Sequence, residues 1–199
     1  MSLGKQAKTL NKKQIDQLLW YVGTLQHAQR NEIVVLRSLR AGLRAKEIAE
    51  LQWAMLTDAE ENIGSSIQLT DKASKGRGGR VIPLNLQLRL KLADLLESED
   101  QYHSIDIATS HVIRNERSEK TSPQAIVHMF AAWCADVGLV DCSSHSGRRI
   151  FTTNAARKIS SLGGSFRDVQ ALAEHSSLAV TQRYIDGNGD APMKVVELV

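Results

Sequence analysis

The stretch "GLRAKEIAELQW", Gly42–Trp53, decides how the chain is read. Upstream, "NEIVVLRSLRAG" has the apolar spacing of a helix and stops at Gly42, a residue suited to the left-handed turn that ends helices. Downstream, "RAKEIAELQW" opens a second, short helix with Ile48 and Leu51 on one face. Arg44 falls on the turn between them. There a guanidinium can lie across a helix terminus and face an anion, although a lone Arg at a turn is more often an ordinary surface residue.

Working outward, "NKKQIDQLLWYVGTLQHA" places Ile15, Leu18, Leu19 and Val22 at helical intervals, with Asn11 able to cap the start. After Trp53 the period changes. "SSIQLT" and "RVIPL" are short and β-branched, separated by the Gly-rich basic loop "DKASKGRGGR", which predicts a hairpin; "WAMLT" is a candidate third strand. Helical spacing returns in "NLQLRLKLADLLES", and residues 98–121 are polar and show no period. "SPQAIVHMFAAWCADVG" carries Ser122 as cap and Pro123 at the first helical position. "SHSGRRIFTTNAARK", "SFRDVQALAEH" (with Ser165 and Asp168 in a capping-box arrangement) and "LAVTQRY" are further helices. The predicted fold is mainly α with one small antiparallel β-sheet, an α+β chain. Its expected divisions are residues 1–8 as a flexible N-terminus or cloning remnant, 9–186 as the working domain, and 187–199 as an apolar tail.

A chain of 199 residues, 42% hydrophobic and 24% charged, can bury a core. No apolar run approaches the roughly 18 residues that span a bilayer, and the N-terminus lacks a secretory apolar segment, so the expected setting is the cytoplasm with no membrane partner. Cys134 and Cys142 make neither a disulfide framework nor a zinc motif and read as small packed side chains; Trp53 and Trp133 read as core. The net charge of +3 is modest, but its distribution is not. Lys72, Lys75, Arg77 and Arg80 cluster without an acid, and so do His145, Arg148, Arg149, Arg157 and Lys158. Either cluster alone suits a solvated surface, whereas both together suit a phosphate backbone.

Three more features carry chemistry. "HSGRR" sets His145 and Arg148 three apart on one helix face, a repulsive pairing unless an anion lies between them. Lys75 is near a hairpin tip, where it serves a ligand better than a core. "AEHSSLAVTQRY" places His175 nine positions before Tyr184, each of which alone would be an ordinary helix-end or half-buried residue. His27, His103, His111 and His128 have no such context.

The order of these pieces resembles the catalytic domain of the tyrosine recombinases, the phage integrase family, over about residues 8 to 186. The resemblance implies that Arg44 and Arg148 bind the scissile phosphate, and that Lys75 is the hairpin general acid. His145 and His175 would be the family's two motif histidines, and Tyr184 the nucleophile. It implies site-specific recombination by strand cleavage and rejoining through a 3′-phosphotyrosyl link, as in DNA integration by prophages and other mobile elements. No metal and no cofactor are expected. The partners would be double-stranded DNA and, on DNA, a tetramer whose C-terminal tails exchange between protomers, with a monomer or weak oligomer otherwise. Lys72, Arg77, Arg80, Arg149, Arg157 and Lys158 would contact DNA.

The residue chemistry agrees. Phosphoryl transfer gathers negative charge on oxygens that two Arg forks can neutralise. A phenol with a pKa near ~10 needs help to lose its proton, and an imidazole near ~6.5, that of His145, can take one and return it. Two positions depart from the family's usual pattern. Glu174 stands where Gly is common, which brings an acid close to the site or into a pair with Arg183, and Gly147 stands where Leu is common. The family's N-terminal DNA-clamping domain is not in the chain, which suits either a piece of a longer protein or a lone catalytic domain. Alternative functions are a DNA-binding accessory or regulatory protein of the same fold, and a type IB topoisomerase-like nicking-closing enzyme.

Overall fold

The structure, a computed structural model, describes residues 8–74, 79–102, 105–115 and 118–184. The chain forms two compact units, Met1–Ile150 and Phe151–Val199.

In the first unit, helix α1 (Lys12–Gly23) starts where the sequence predicts. Asn11 Oδ1 accepts from the Gln14 amide at 2.9 Å, and the Gln14 side chain accepts from the Asn11 amide at 3.0 Å. Two amides with no helical partner are thereby satisfied. Helix α2 (Ala28–Arg40) is the centre of the unit, with every residue from Ile33 to Leu39 buried; it packs on α1, on α3 (Ala45–Glu50) and on α4 (Leu86–Tyr102). Helix α5 (Pro123–Asp136), capped by Ser122 Oγ accepting from the Ala125 amide, packs on α3 and α1. Strands β1 (Ser66–Leu69) and β2 (Arg80–Pro83) form the antiparallel pair, with Ser66 opposite Pro83 and Leu69 opposite Arg80. The architecture is mainly helical with one small antiparallel sheet.

Two local expectations change. "WAMLT" is not a strand: Trp53–Met55 is a 3-10 turn, because the Trp53 carbonyl accepts from both the Leu56 and Thr57 amides, at 2.8 and 3.0 Å. Its pull toward pairing survives as single bridges, Gln52 with His111 and Thr57 with Ile63. The unreadable polar stretch divides in two. Helix α4 continues to Tyr102, and residues 107–112 lie against 51–54, with the Val112 amide on the Leu51 carbonyl at 2.9 Å. Trp53 and Trp133 are both core residues, and both cysteines are free thiols.

Arg37 is an unexpected member of that core. It is fully buried on α2, and its Nη1 donates to the Ile48 carbonyl at 3.4 Å, near the end of α3 where carbonyls lack helical partners. Burial pushes its pKa down to about 9.

Helix α6 (Ser144–Lys158) begins in the first unit and continues into the second. There it is followed by a 3-10 turn (Ser160–Leu162), α7 (Phe166–Leu172) and α8 (Leu178–Gln182), the last two packed together. The predicted capping box forms: Asp168 Oδ2 accepts from the amide and hydroxyl of Ser165 at 2.7 and 2.9 Å. These bonds favour the ionised carboxylate, so the Asp168 pKa lies below its ordinary value. No helix among the described residues is long and apolar enough to cross a membrane.

Candidate active site

The first unit builds a cationic cluster around the 42–44 turn. Gly42 has φ 63°, the left-handed conformation that the helix stop requires. Its carbonyl accepts from Arg148 Nη1 at 2.7 Å, so α6 sends a guanidinium to the turn that carries Arg44. Arg148 is only 6% exposed. Arg44 opens α3, and its amide donates to Glu47 Oε2 at 2.7 Å, the N3 acid of a capping box. Its Nη1 donates to Glu47 Oε1 at 2.8 Å. Arg80, at the start of β2, places Nη2 on Glu47 Oε2 at 2.9 Å. Glu47 itself is buried, so a single carboxylate beneath the surface orients two guanidiniums.

Glu47 is the residue that sequence reasoning missed. The signal was there: an acid three positions after the helix start, directly after the Arg singled out. Arg80 was grouped with the loop cations expected to face DNA, but its side chain is 9% exposed and engaged with Glu47. Lys75 and Arg77 lie outside the described residues.

The approach of α6 to α2 depends on a small residue. A Cβ placed on Gly147 would lie 2.8 Å from Ser38 Cβ and 3.0 Å from the Ser38 backbone carbon. Contacts that short are not tolerated, so the usual Leu has no room here. Ser38 Oγ also donates to the Ser144 carbonyl at 3.3 Å. His145, in the first turn of α6, is exposed, and its amide donates to Ser143 Oγ at 3.3 Å. That first turn contains no acidic residue, so its amides meet no competing carboxylate.

The second unit holds the other pair. His175 Nδ1 and Thr181 Oγ1 are 3.0 Å apart, with donor and acceptor set by the tautomer. The rings of His175 and Tyr184 stack at 5.1 Å between centroids and 14° between planes. Tyr184 is half-buried, just beyond α8. Glu174, immediately before His175, has φ 48°. This left-handed backbone is the physical reason the family favours Gly at that position. Of the other expected DNA contacts, Lys72 is exposed, Arg149 is half-buried, and Arg157 and Lys158 are exposed in the last turn of α6, where they also suit the helix dipole.

Residues 8–189 match the model of the phage integrase family, and the chain belongs to that family. Its fold is that of the tyrosine recombinases. It is similar to the XerA recombinase, with a TM-score of 0.74 at 21% identity over 96% of this chain and 64% of that one. It is also similar to the Tn1549 transposon integrase in complex with transposon right-end DNA, with a TM-score of 0.69 at 16% identity over 100% and 68%. A lambda integrase dimer bound to a COC′ core site matches with a TM-score of 0.65 at 16% identity over 94% and 50%. The chain thus spans between half and about two thirds of these proteins. No curated protein matches it in sequence.

Proposed function

We propose that the chain is the catalytic part of a site-specific DNA recombinase that cuts and rejoins strands through Tyr184. The observation that carries this is the cluster at the 42–44 turn, where Arg148 is bonded to the Gly42 carbonyl and Arg44 is held by buried Glu47. Fixed guanidiniums of this kind suit a phosphodiester whose oxygens gain charge as it is attacked. The neighbours' DNA-bound forms favour the same substrate.

On this reading Arg44 and Arg148 hold the scissile phosphate. His145 takes the phenol proton, assisted by His175. The Tyr184 oxygen bonds to phosphorus as the bond to the 5′ oxygen breaks, and that oxygen leaves with a proton from Lys75. The phosphotyrosyl ester keeps the energy of the broken bond, so rejoining needs only an incoming 5′-hydroxyl, with the protons returned by the same groups. Neither a metal nor a cofactor has a step in this scheme. Lys72, Arg77, Arg149, Arg157 and Lys158 supply backbone contacts, while Arg80 acts from inside through Glu47. The active assembly is a tetramer on DNA in the cytoplasm, joined by exchange of residues 187–199, a segment outside those described.

The test is capture of protein-linked DNA from cells making the chain, followed by sequencing of the attached ends. Enriched ends that vanish in Tyr184→Phe support the assignment. Specific DNA retention without any covalent adduct would instead identify an accessory binding protein. Adducts with supercoil relaxation but no recombinant product would identify a nicking-closing enzyme.

A further inference from the structure

Helix α3 holds the hairpin at both ends of its connection. Lys46 Nζ donates to the Ser74 carbonyl at 2.9 Å, and the next residue, Glu47, accepts from Arg80 at 2.9 Å. Residues 74 and 80 bracket the segment that contains Lys75, and α3 itself opens with Arg44. The strand end is already ordered before Lys46 reaches it. The Ser74 amide donates to the Thr70 carbonyl at 3.0 Å, Ser74 Oγ donates to the Asp71 carbonyl at 3.2 Å, and Ala73 and Ser74 are buried. What Lys46 adds is a charge-assisted bond to the last carbonyl before Lys75. A peptide group is planar, so holding the Ser74 oxygen fixes the direction in which the chain leaves Ser74.

We propose that Lys46 is a positioning residue for the general acid: through the Ser74 carbonyl it sets the placement of Lys75 relative to Arg44. This rests on the assignment of Lys75 above. A proton donor is effective only within hydrogen-bond reach of the leaving oxygen, and a displacement of about 1 Å can cost roughly a hundredfold in rate.

The experiment uses the full chain and the DNA site recovered by adduct capture, made in two forms: one with the natural 5′ oxygen at the scissile phosphate, one with sulfur in its place. A thiol has a pKa near about 8.5, so a thiolate departs without a proton. Lys46→Met keeps the apolar stem and removes the cation. It is expected to slow adduct formation on the oxygen substrate about tenfold, a barrier change of roughly 1.4 kcal/mol. DNA affinity and its salt dependence should stay unchanged, the sulfur substrate should restore the rate, and Lys46→Arg should retain activity on oxygen. A normal rate for Lys46→Met on oxygen, or a defect that persists on sulfur, overturns the proposal. Weakened DNA binding with a salt slope reduced by about one also overturns it, by making Lys46 a phosphate contact. Lys75→Ala separates the two levels. If sulfur rescues Lys75→Ala but not Lys46→Met, only the positioning role falls; if sulfur fails to rescue Lys75→Ala, the general-acid assignment falls first.

Discussion

The groups expected to bind phosphate and the groups expected to attack it are held in opposite ways. In the first unit, Arg44, Arg80 and Arg148 are tied by short charged bonds to a buried carboxylate and a turn carbonyl, beside a helix buried continuously from Ile33 to Leu39. In the second, Tyr184 follows a helix of five residues and rests on one stacked imidazole. Between Phe166 and Tyr184 only Val169, Ala173 and Thr181 are buried. Electrostatic stabilisation works best when its charges need not reorganise, which calls for a stiff scaffold. A nucleophile that must attack and later release DNA gains from a setting with few buried contacts, the kind that opens most easily.

The largest break in this contrast should come at Glu47. Glu47→Ala strands Arg44 and Arg80 without their shared acceptor, and loss of one member of a buried ion pair costs about 3–5 kcal/mol. Denaturant unfolding of the full chain should show that loss; an unchanged midpoint would mean the carboxylate does not organise the cluster. Gly147→Leu comes next. It forces α6 off Ser38 and should cost about 1–3 kcal/mol, with Arg148 displaced from the Gly42 carbonyl. Thermal unfolding measures the first effect and weakened phosphate-dependent cleavage the second.

In the second unit the effects are smaller, and one has the opposite sign. Glu174→Gly relieves a left-handed non-glycine backbone at the cost of added unfolded-state freedom, for a net gain of about 1 kcal/mol. A melting temperature that fell would show that the Glu174 side chain does more for the fold than its backbone costs. The slightest effect is at Asp168. Its carboxyl is held below the usual range in the folded chain, so its contribution is present above the unfolded value near ~3.9 and is lost as pH falls through the folded value. The Ser165 amide resonance should therefore be constant from pH 5 to 8 and move only below about pH 4, and Ser165→Ala should return the Asp168 titration toward the ordinary range.

Much of this was legible in the residues. Asn11, Ser122 and the Ser165–Asp168 pair mark helix starts because they bond amides within a turn of themselves. The two arms of the hairpin follow from β-branched runs on either side of a Gly-rich loop. The strand proposed at "WAMLT" failed because propensity does not record that the Trp53 carbonyl closes a tight turn. Arg80 was misplaced for a similar reason: a cation in a basic run looks solvent-facing until its partner, 33 positions upstream, is known.

The sequence by itself determined the helices and their caps, the hairpin, the family, and the residue types a phosphoryl-transfer site needs, since all of these are written in local pattern and order. The tertiary structure alone decided that Arg148 reaches the Gly42 carbonyl, that Glu47 joins Arg44 to Arg80, that Lys46 meets Ser74, and that Gly147 is required by Ser38. These are meetings between residues 28 to 109 positions apart, and only packing of the buried faces sets them.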